Sequence, residues 1–500
     1  LFRQCFYRLN SERTKIMKQK TILTKFFSFL VILCLLLSAV GCGSKTGNES
    51  EEKINYGDAV DTEDDDDADV SGTTGGKQQT TPGGKTQGGS KSTIKVSETH
   101  QINEEAKKDF LSSVPKKLKG KEVKILIWWE PGVAEKAKMQ KFTEATGIKI
   151  KWISSGGDRE YMQKLSSMKI QGNSPDLACI REYPNSIMQD YFEPLSYGKL
   201  DYSDKKIFDV DTMESFKFNG KLYGAHIKGS SMSVFNILLY NKEMFDKSGL
   251  DTPRKLWESG NWNWDTFTDL SVKIKDKLKC EAAVACEYHA HDFISTANTT
   301  YTKINNGKIK NNMSDPKLLS AWTLINDLQN KYKVLNLGLN KAGFIAQKCP
   351  MFIYGNYSLQ KGDFCDRDLK FKYDYAPLPS PKGEKLVVPV DLQMWGFPKG
   401  SKNAEAAAYA LRYWWSSEFD EKGSERWTDQ NATDFNNWLW EQPKSYELAG
   451  IVSYDGSYTE QRMWAELASC GAENVRSTLD RWSGVIDSNI NALNKEFGQK

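Results

Sequence analysis

Between Glu122 and Ile180 the apolar pattern changes period four times, and few architectures accommodate that. Glu122 to Trp129 is a β-branched and aromatic run. Val133, Ala137, Met139 and Phe142 then follow helical spacing, closed by Gly147. Ile148 to Ile153 reads as a second strand, Asp158 to about Gln171 as a helix, and Leu177 to Ile180 as a buried strand after Pro175-Asp176. Strand, helix, strand, helix, strand is the pattern of a parallel sheet with helical crossovers, so the fold class is α/β. Ligands on such sheets sit beyond the strand C-termini. That rule directs attention to the loops after Trp129, Ile153 and Ile180.

The segment before this region is of another kind. Lys18, Lys20 and Lys25 form a positive n-region, Phe26 to Val40 an apolar h-region, and Ala39-Val40-Gly41-Cys42 a small-residue cleavage site ending in cysteine. Residues 17–41 thus read as a lipoprotein export signal, with Cys42 carrying the lipid that holds the chain on a bilayer. The apolar run is shorter than the roughly 20 residues a spanning helix needs. Residues 1–16, which lack an initiator at Leu1, read as an upstream extension of the gene model. From Gly43 to about Gly120 apolar periodicity is nearly absent. An acidic run (Asp61, Glu63, Asp64 to Asp67, Asp69) gives way to a Gly/Thr/Lys/Gln stretch. Such composition cannot bury a core and reads as a disordered tether averaging roughly 50 Å end to end. The acidic run lacks the glycine turn and ligand spacing of a calcium loop. Residues 102–118 read as a loose helix before the body begins.

The body, about Lys121 to Lys500, is larger than one hydrophobic core usually supports, which argues for two lobes. It holds all fifteen tryptophans. Lysine plus arginine (68) nearly balances aspartate plus glutamate (65), which leaves no basic field for nucleic acid. Cys280 with Cys286, or Cys349 with Cys365, could close small disulfide loops outside the cell, but spacing alone does not choose a pairing. Cys286, His289 and His291 lie close together without a second pair at ligand spacing, so an ordinary polar loop is the better reading than zinc. A nucleophile elbow, a phosphate-binding Gly-rich loop and a metalloprotease helix are all missing. Two carboxylates such as Glu130 with Glu182 or Asp391 could be imagined as a glycosidase pair, yet no spacing supports it.

A series of short motifs runs through the body in order. Phe142-x-x-Ala145-Thr146-Gly147 is followed by Ser174-Pro175-Asp176-Leu177, Phe192-Glu193-Pro194-Leu195 and Lys221-Leu222-Tyr223-Gly224. Leu239-Tyr240-Asn241-Lys242, Asn263-Trp264-Asp265, Cys349-Pro350-Met351-Phe352-x-x-Gly355-Asn356-Tyr357, Ala376-Pro377-Leu378-Pro379 and Gly400-Ser401-Lys402-Asn403-Ala404 complete it. In this order the chain resembles the extracellular solute-binding proteins of ABC importers, of the maltose-binding-protein type. The resemblance implies two α/β lobes joined by chain crossings near Ala225 to Val234 and Val387 to Met394, closing on a solute in the cleft between them. The first lobe would span about 121–228 plus a segment after 390. The second would take about 234–386 and much of the C-terminus, including Trp414, Trp415, Trp427, Trp438, Trp440, Trp464 and Trp482. Gly423 to Glu441 has no evident place in this scheme. A monomer without cofactor that delivers its solute to a membrane permease, with ATP hydrolysed by another subunit, completes what the family implies.

Candidate solute contacts follow from strand ends and from motif positions. Trp128 and Trp129 end the first strand, and alternation sends one inward and one toward the cleft; Trp129 is the favoured exposed face. Glu130 matches a polar cleft position of the family. Asp158 either caps a helix or reaches the cleft, and Arg159 beside it is a surface charge or a ligand contact. Arg181, Glu182 and Tyr183 match a stretch carrying polar and aromatic cleft residues. Asn356 and Tyr357 follow Gly355 where the family commonly has a cleft tryptophan. Asp391 and Trp395 lie in the returning crossing, Trp395 as a second stacking face or a core indole. Aromatic faces flanked by carboxylates and amides suit a sugar, whose hydroxyls take paired hydrogen bonds. A carbohydrate is the leading solute class.

Overall fold

A computed structural model describes residues 102–497 apart from 158–159, 182–184, 229, 231, 287–290, 306–307, 421–425 and 447–458. The export signal, Cys42 and most of the tether therefore lie outside the described residues. The alternating region builds a five-stranded sheet in the order β2-β1-β3-β13-β4. Its strands are β1 (Glu122–Ile127), β2 (Lys149–Ser154), β3 (Leu177–Cys179), β4 (Phe192–Glu193) and the late-arriving β13 (Trp395–Pro398). β1 runs parallel to β2 and β3, with Ile125 opposite both Trp152 and Leu177, while β13 is antiparallel to β3 and β4. Val123, Ile125, Leu126 and Ile127 are buried completely, as a parallel strand covered on both faces requires. Gly147 ends the helix Val133–Thr146 at φ 74, a left-handed cap whose N–H reaches Thr143 O at 2.8 Å.

Asp176 explains two of the sequence motifs at once. It is buried, and its carboxylate accepts hydrogen bonds from Lys124 N, Ser401 Oγ, Lys402 N and Asn403 N at 2.8 to 3.1 Å. One carboxylate thereby ties the entry to β3 to the start of the helix Ala404–Trp415.

The second sheet has the order β14-β12-β5-β10-β6-β9, with β11 pairing the remaining length of β5. Its strands are β5 (Ser233–Asn241), β6 (Val284–Ala285), β9 (Leu335–Asn336), β10 (Met351–Gly355), β11 (Tyr373–Pro377), β12 (Val388–Leu392) and β14 (Lys444–Tyr446). A separate hairpin joins β7 (Thr302–Asn305) to β8 (Lys308–Asn311). Leu238 and Tyr240 of β5 face one hydrophobic core, and Phe235, Ile237 and Leu239 face another on the opposite side. Asn263 caps the helix Trp264–Leu278 that covers this sheet, accepting from Asp265 N and Thr266 N.

The chain leaves the first sheet after Ala225 and enters the second at Ser233, then returns between Leu392 and Trp395. The two crossings run side by side. Ala225 and Trp395 exchange backbone hydrogen bonds at 2.8 and 3.1 Å, and Gln393 N donates to Met232 O at 3.0 Å. They approach so closely that a β-carbon on Gly396 would stand 2.7 Å from Tyr223 O.

Three features depart from expectation. The helix Glu104–Ser113 is docked rather than loose. Phe110 packs on Tyr409, Tyr413 and Phe419, Asn103 N donates to Glu418 O, and Val114 and Leu118 are buried. The folded body thus includes this stretch ahead of Lys121, because Phe110, Val114 and Leu118 bury their apolar surface in its core. Trp414 and Trp415, expected in the second lobe, lie on Ala404–Trp415 against Trp129, Trp152 and Trp395 of the first sheet. The helix Gln430–Glu441, which had no place, seals the second sheet, with Phe435 between Trp257 and Tyr375. Cys280, Cys349 and Cys365 are free thiols, so neither short disulfide loop is formed. Among the described residues no helix is long and apolar enough to cross a membrane.

Candidate functional site

The crossings bring side chains from distant segments to one junction between the sheets. Asp391 of β12 stands directly opposite Val234 of β5, so both side chains project from the same face of the second sheet. Arg181, two residues beyond β3, reaches across from the first lobe to within 3.7 Å of the Asp391 carboxylate. Its guanidinium lies 4.8 Å from the Trp128 ring centre. Trp128 is held edge-on by Tyr161 at 5.3 Å, and the Tyr161 hydroxyl accepts Cys179 N–H at 2.8 Å. The Asp391 side chain is 52% exposed, so this ion pair contributes little stability. Its significance is positional: an aromatic face, a cation and a carboxylate from both lobes share one solvent-reachable corner.

The face that carries Val234 and Asp391 continues into a second group. A β-carbon on Gly355 would collide with the Tyr357 ring and come 2.9 Å from Val234 Cγ1, which fixes Tyr357 over this face beside Val234. Asn236, two residues along β5, pairs with Gly355 and donates from Nδ2 to Asp292 Oδ1 at 3.0 Å. Asp292 stands beside His291, 3.9 Å away, and the His291 ring stacks on Trp464 with centroids 4.2 Å apart and planes 19° apart. Beneath the first crossing His226 is fully buried, with Nε2 2.8 Å from Ser233 Oγ and Nδ1 3.8 Å from Asp209. Burial lowers its pKa to about 4 against the opposing pull of Asp209.

The residues proposed from sequence divide accordingly. Arg181 and Asp391 meet at the junction, and Tyr357 lies beside Val234, the residue opposite Asp391. Trp129, the favoured stacking face, is half-buried between Trp395 and Trp414, with Nε1 donating to Glu135 at 3.4 Å; Trp128 is the indole that meets Arg181. Glu130 is exposed and paired with Lys136 at 2.6 Å. Trp395 is fully buried among Trp129, Trp414 and Trp415, which corrects its reading as a stacking face. Asn356 is likewise a bracket: it accepts Phe235 N–H and donates to Asn436. Asp158, Arg159, Glu182 and Tyr183 lie outside the described residues. Asn236, Asp292 and Trp464 were missed, since nothing local in sequence links three segments so far apart. Among the described residues no three His, Cys, Asp or Glu side chains are arranged to hold a metal.

Comparison with known proteins agrees with this architecture. Residues 137–422, more than half of the chain, match the family described as bacterial extracellular solute-binding proteins. No curated protein sequence matches the chain. Among solved structures, an ABC substrate-binding protein from Listeria monocytogenes in complex with cycloalternan superposes with a TM-score of 0.55 at 16% identity, covering 76% of this chain and 100% of that one. The cyclic α-maltosyl-1,6-maltose binding protein from Arthrobacter globiformis gives 0.56 at 14%, covering 74% and 99%. UgpB from Mycobacterium tuberculosis in complex with glycerophosphocholine gives 0.57 at 15%, also covering 74% and 99%. With its two sheets, its paired crossings and a family match spanning both, this chain belongs to the bacterial extracellular solute-binding proteins.

Proposed function

We propose that the protein is the lipid-anchored solute receptor of an ABC importer, that its solute is a carbohydrate, and that it passes this solute unchanged to a membrane permease. The observation that carries the reading is the junction of Trp128, Arg181 and Asp391, with Tyr357 beside the neighbouring Val234. It offers ring faces for the apolar side of a sugar and charged groups able to hold hydroxyls in pairs. The similar structures bound to cycloalternan and maltotetraose support this class, and the one bound to glycerophosphocholine supplies the competing one. Solute binding to both lobes would favour a closed form by its differential affinity for that form. Cys42 would carry the lipid, leaving the body outside the cell membrane on its tether.

A thermal-shift screen of the full chain against neutral oligosaccharides, monosaccharides, glycerophosphodiesters and amino acids tests the reading. A saturable shift with neutral sugars, recovered intact by chromatography, is the expected result. A shift only with another class, or a hydrolysed sugar, would overturn the carbohydrate or the receptor claim respectively. Replacing Cys42 with serine should move the protein from the membrane fraction into the medium.

A further inference from the structure

Where the first sheet opens toward the junction, one buried side chain grips both strand ends. The register of β1 with β3 ends at Leu126 opposite Ala178, and each strand stops one residue further on. Tyr161, the first residue of the helix Tyr161–Ile170, reaches this place and is fully buried. Its hydroxyl accepts Cys179 N–H at 2.8 Å and has Leu126 O at 3.3 Å and Cys179 O at 3.2 Å for its own proton. It thus bridges the two backbones where their ladder stops. The two side chains of the first-lobe wall leave from these same strand ends. Trp128 follows β1 and takes the Tyr161 ring edge-on, with centroids 5.3 Å apart and planes at 89°. Arg181 follows β3, and its N–H donates at 3.1 Å to Cys179 O, the carbonyl that the Tyr161 hydroxyl also reaches. Its guanidinium ends 4.8 Å from the Trp128 ring centre and 3.7 Å from Asp391. A phenylalanine would fill the same space, so packing does not call for the hydroxyl.

We infer that Tyr161 is a positioning residue of the solute site: buried beyond reach of the solute, it sets the spacing of Trp128 and Arg181 and so acts on binding through them. This rests on the reading of the junction as the solute site and deepens it. A solute that lies on the Trp128 ring while pairing with the Arg181 guanidinium needs both groups at one spacing before it arrives, because ordering them on binding would cost affinity. The Tyr161 ring holds the first group, and its hydroxyl holds the backbone turn that carries the second. Removing the hydroxyl leaves the Cys179 N–H without this acceptor and frees the end of β3 to shift against β1. The indole stays packed, and the guanidinium moves relative to it.

The test is calorimetric titration of the full chain with a maltooligosaccharide series and with glycerophosphocholine, comparing wild type, Tyr161→Phe, Arg181→Gln, the double variant and Tyr301→Phe. Tyr301→Phe removes another buried hydroxyl, the one that accepts Trp322 Nε1 at 3.2 Å on the helix Pro316–Asn326, and so controls for lost stability, which denaturation midpoints follow. The expected outcome is that Tyr161→Phe binds about ten-fold more weakly and Tyr301→Phe binds as wild type. In the Arg181→Gln background the same Tyr161→Phe change should cost less than about two-fold, since the group it positions is gone. Unchanged affinity in Tyr161→Phe, an equal loss in Tyr301→Phe, or a full loss that persists beside Arg181→Gln would overturn the positioning role and leave the junction reading intact. Wild-type affinity in Arg181→Gln, or a wild type that binds neither class, would overturn both. Binding of glycerophosphocholine alone would overturn the carbohydrate reading, and the same set of variants titrated with it would still decide the role of Tyr161.

Discussion

Single residues at the lobe junction separate into those that hold the fold and those available to a solute, and burial rather than residue type makes the division. Trp395 and Tyr357 were equal candidates by sequence. Trp395 is closed in by three other indoles, whereas Tyr357 is partly exposed over Gly355. Replacing Trp395 with alanine is therefore expected to cost about 3–5 kcal/mol of stability, visible as a large fall in the denaturation midpoint. Replacing Tyr357 with alanine should weaken solute affinity about ten-fold while moving that midpoint by only a few degrees. Equal thermal losses in the two variants would refute the division. The sequence could not make it. Period-2 alternation ends with β1 at Ile127, so it did not decide which of Trp128 and Trp129 turns toward Arg181. Arg181 and Asp391 were legible because each follows or ends a recognisable strand. Asn236 and Asp292 were not, since their meeting depends on tertiary contact across more than fifty residues.

At the level of elements, the strand and helix alternation of the first lobe was written locally and appears in the structure with shifts of a few residues. The helix predicted from the spacing of Val133 to Phe142 forms as Val133–Thr146, stopped by the Gly147 left-handed cap. What local pattern could not supply was the destination of late segments. β13 inserts between β3 and β4, and Ala404–Trp415 covers that same sheet, because the Asp176 carboxylate binds the backbone just ahead of it. The first crossing also contains a buried titratable group. His226 holds its proton only below about pH 4 in the folded chain, whereas an unfolded histidine does so below about 6.5, with burial the main cause and Asp209 opposing it. The unfolded chain thus binds more protons between these values, and stability present above pH 6.5 is lost as pH falls toward 4. The loss by pH 4.5 should be about 2–3 kcal/mol. Urea denaturation at pH 7.5 and 4.5 measures it, and a His226→Gln variant should show that much less pH dependence. An identical pH dependence in the variant would contradict the buried neutral state of His226.

Across the whole molecule, two sheets, two adjacent crossings and a family match over residues 137–422 define a receptor whose junction faces solvent. The docked helix Glu104–Ser113 packs on the helix Ala404–Trp415, against the first lobe. The central claim is that both lobes hold one neutral sugar without altering it. The most direct measurement is a calorimetric titration of the full chain with neutral oligosaccharides, followed by chromatography of the sugar recovered from the cell. One equivalent bound per chain, with a negative heat-capacity change from apolar burial and the sugar recovered intact, is the predicted result. No heat with any neutral sugar, or recovery of cleaved product, would contradict the account.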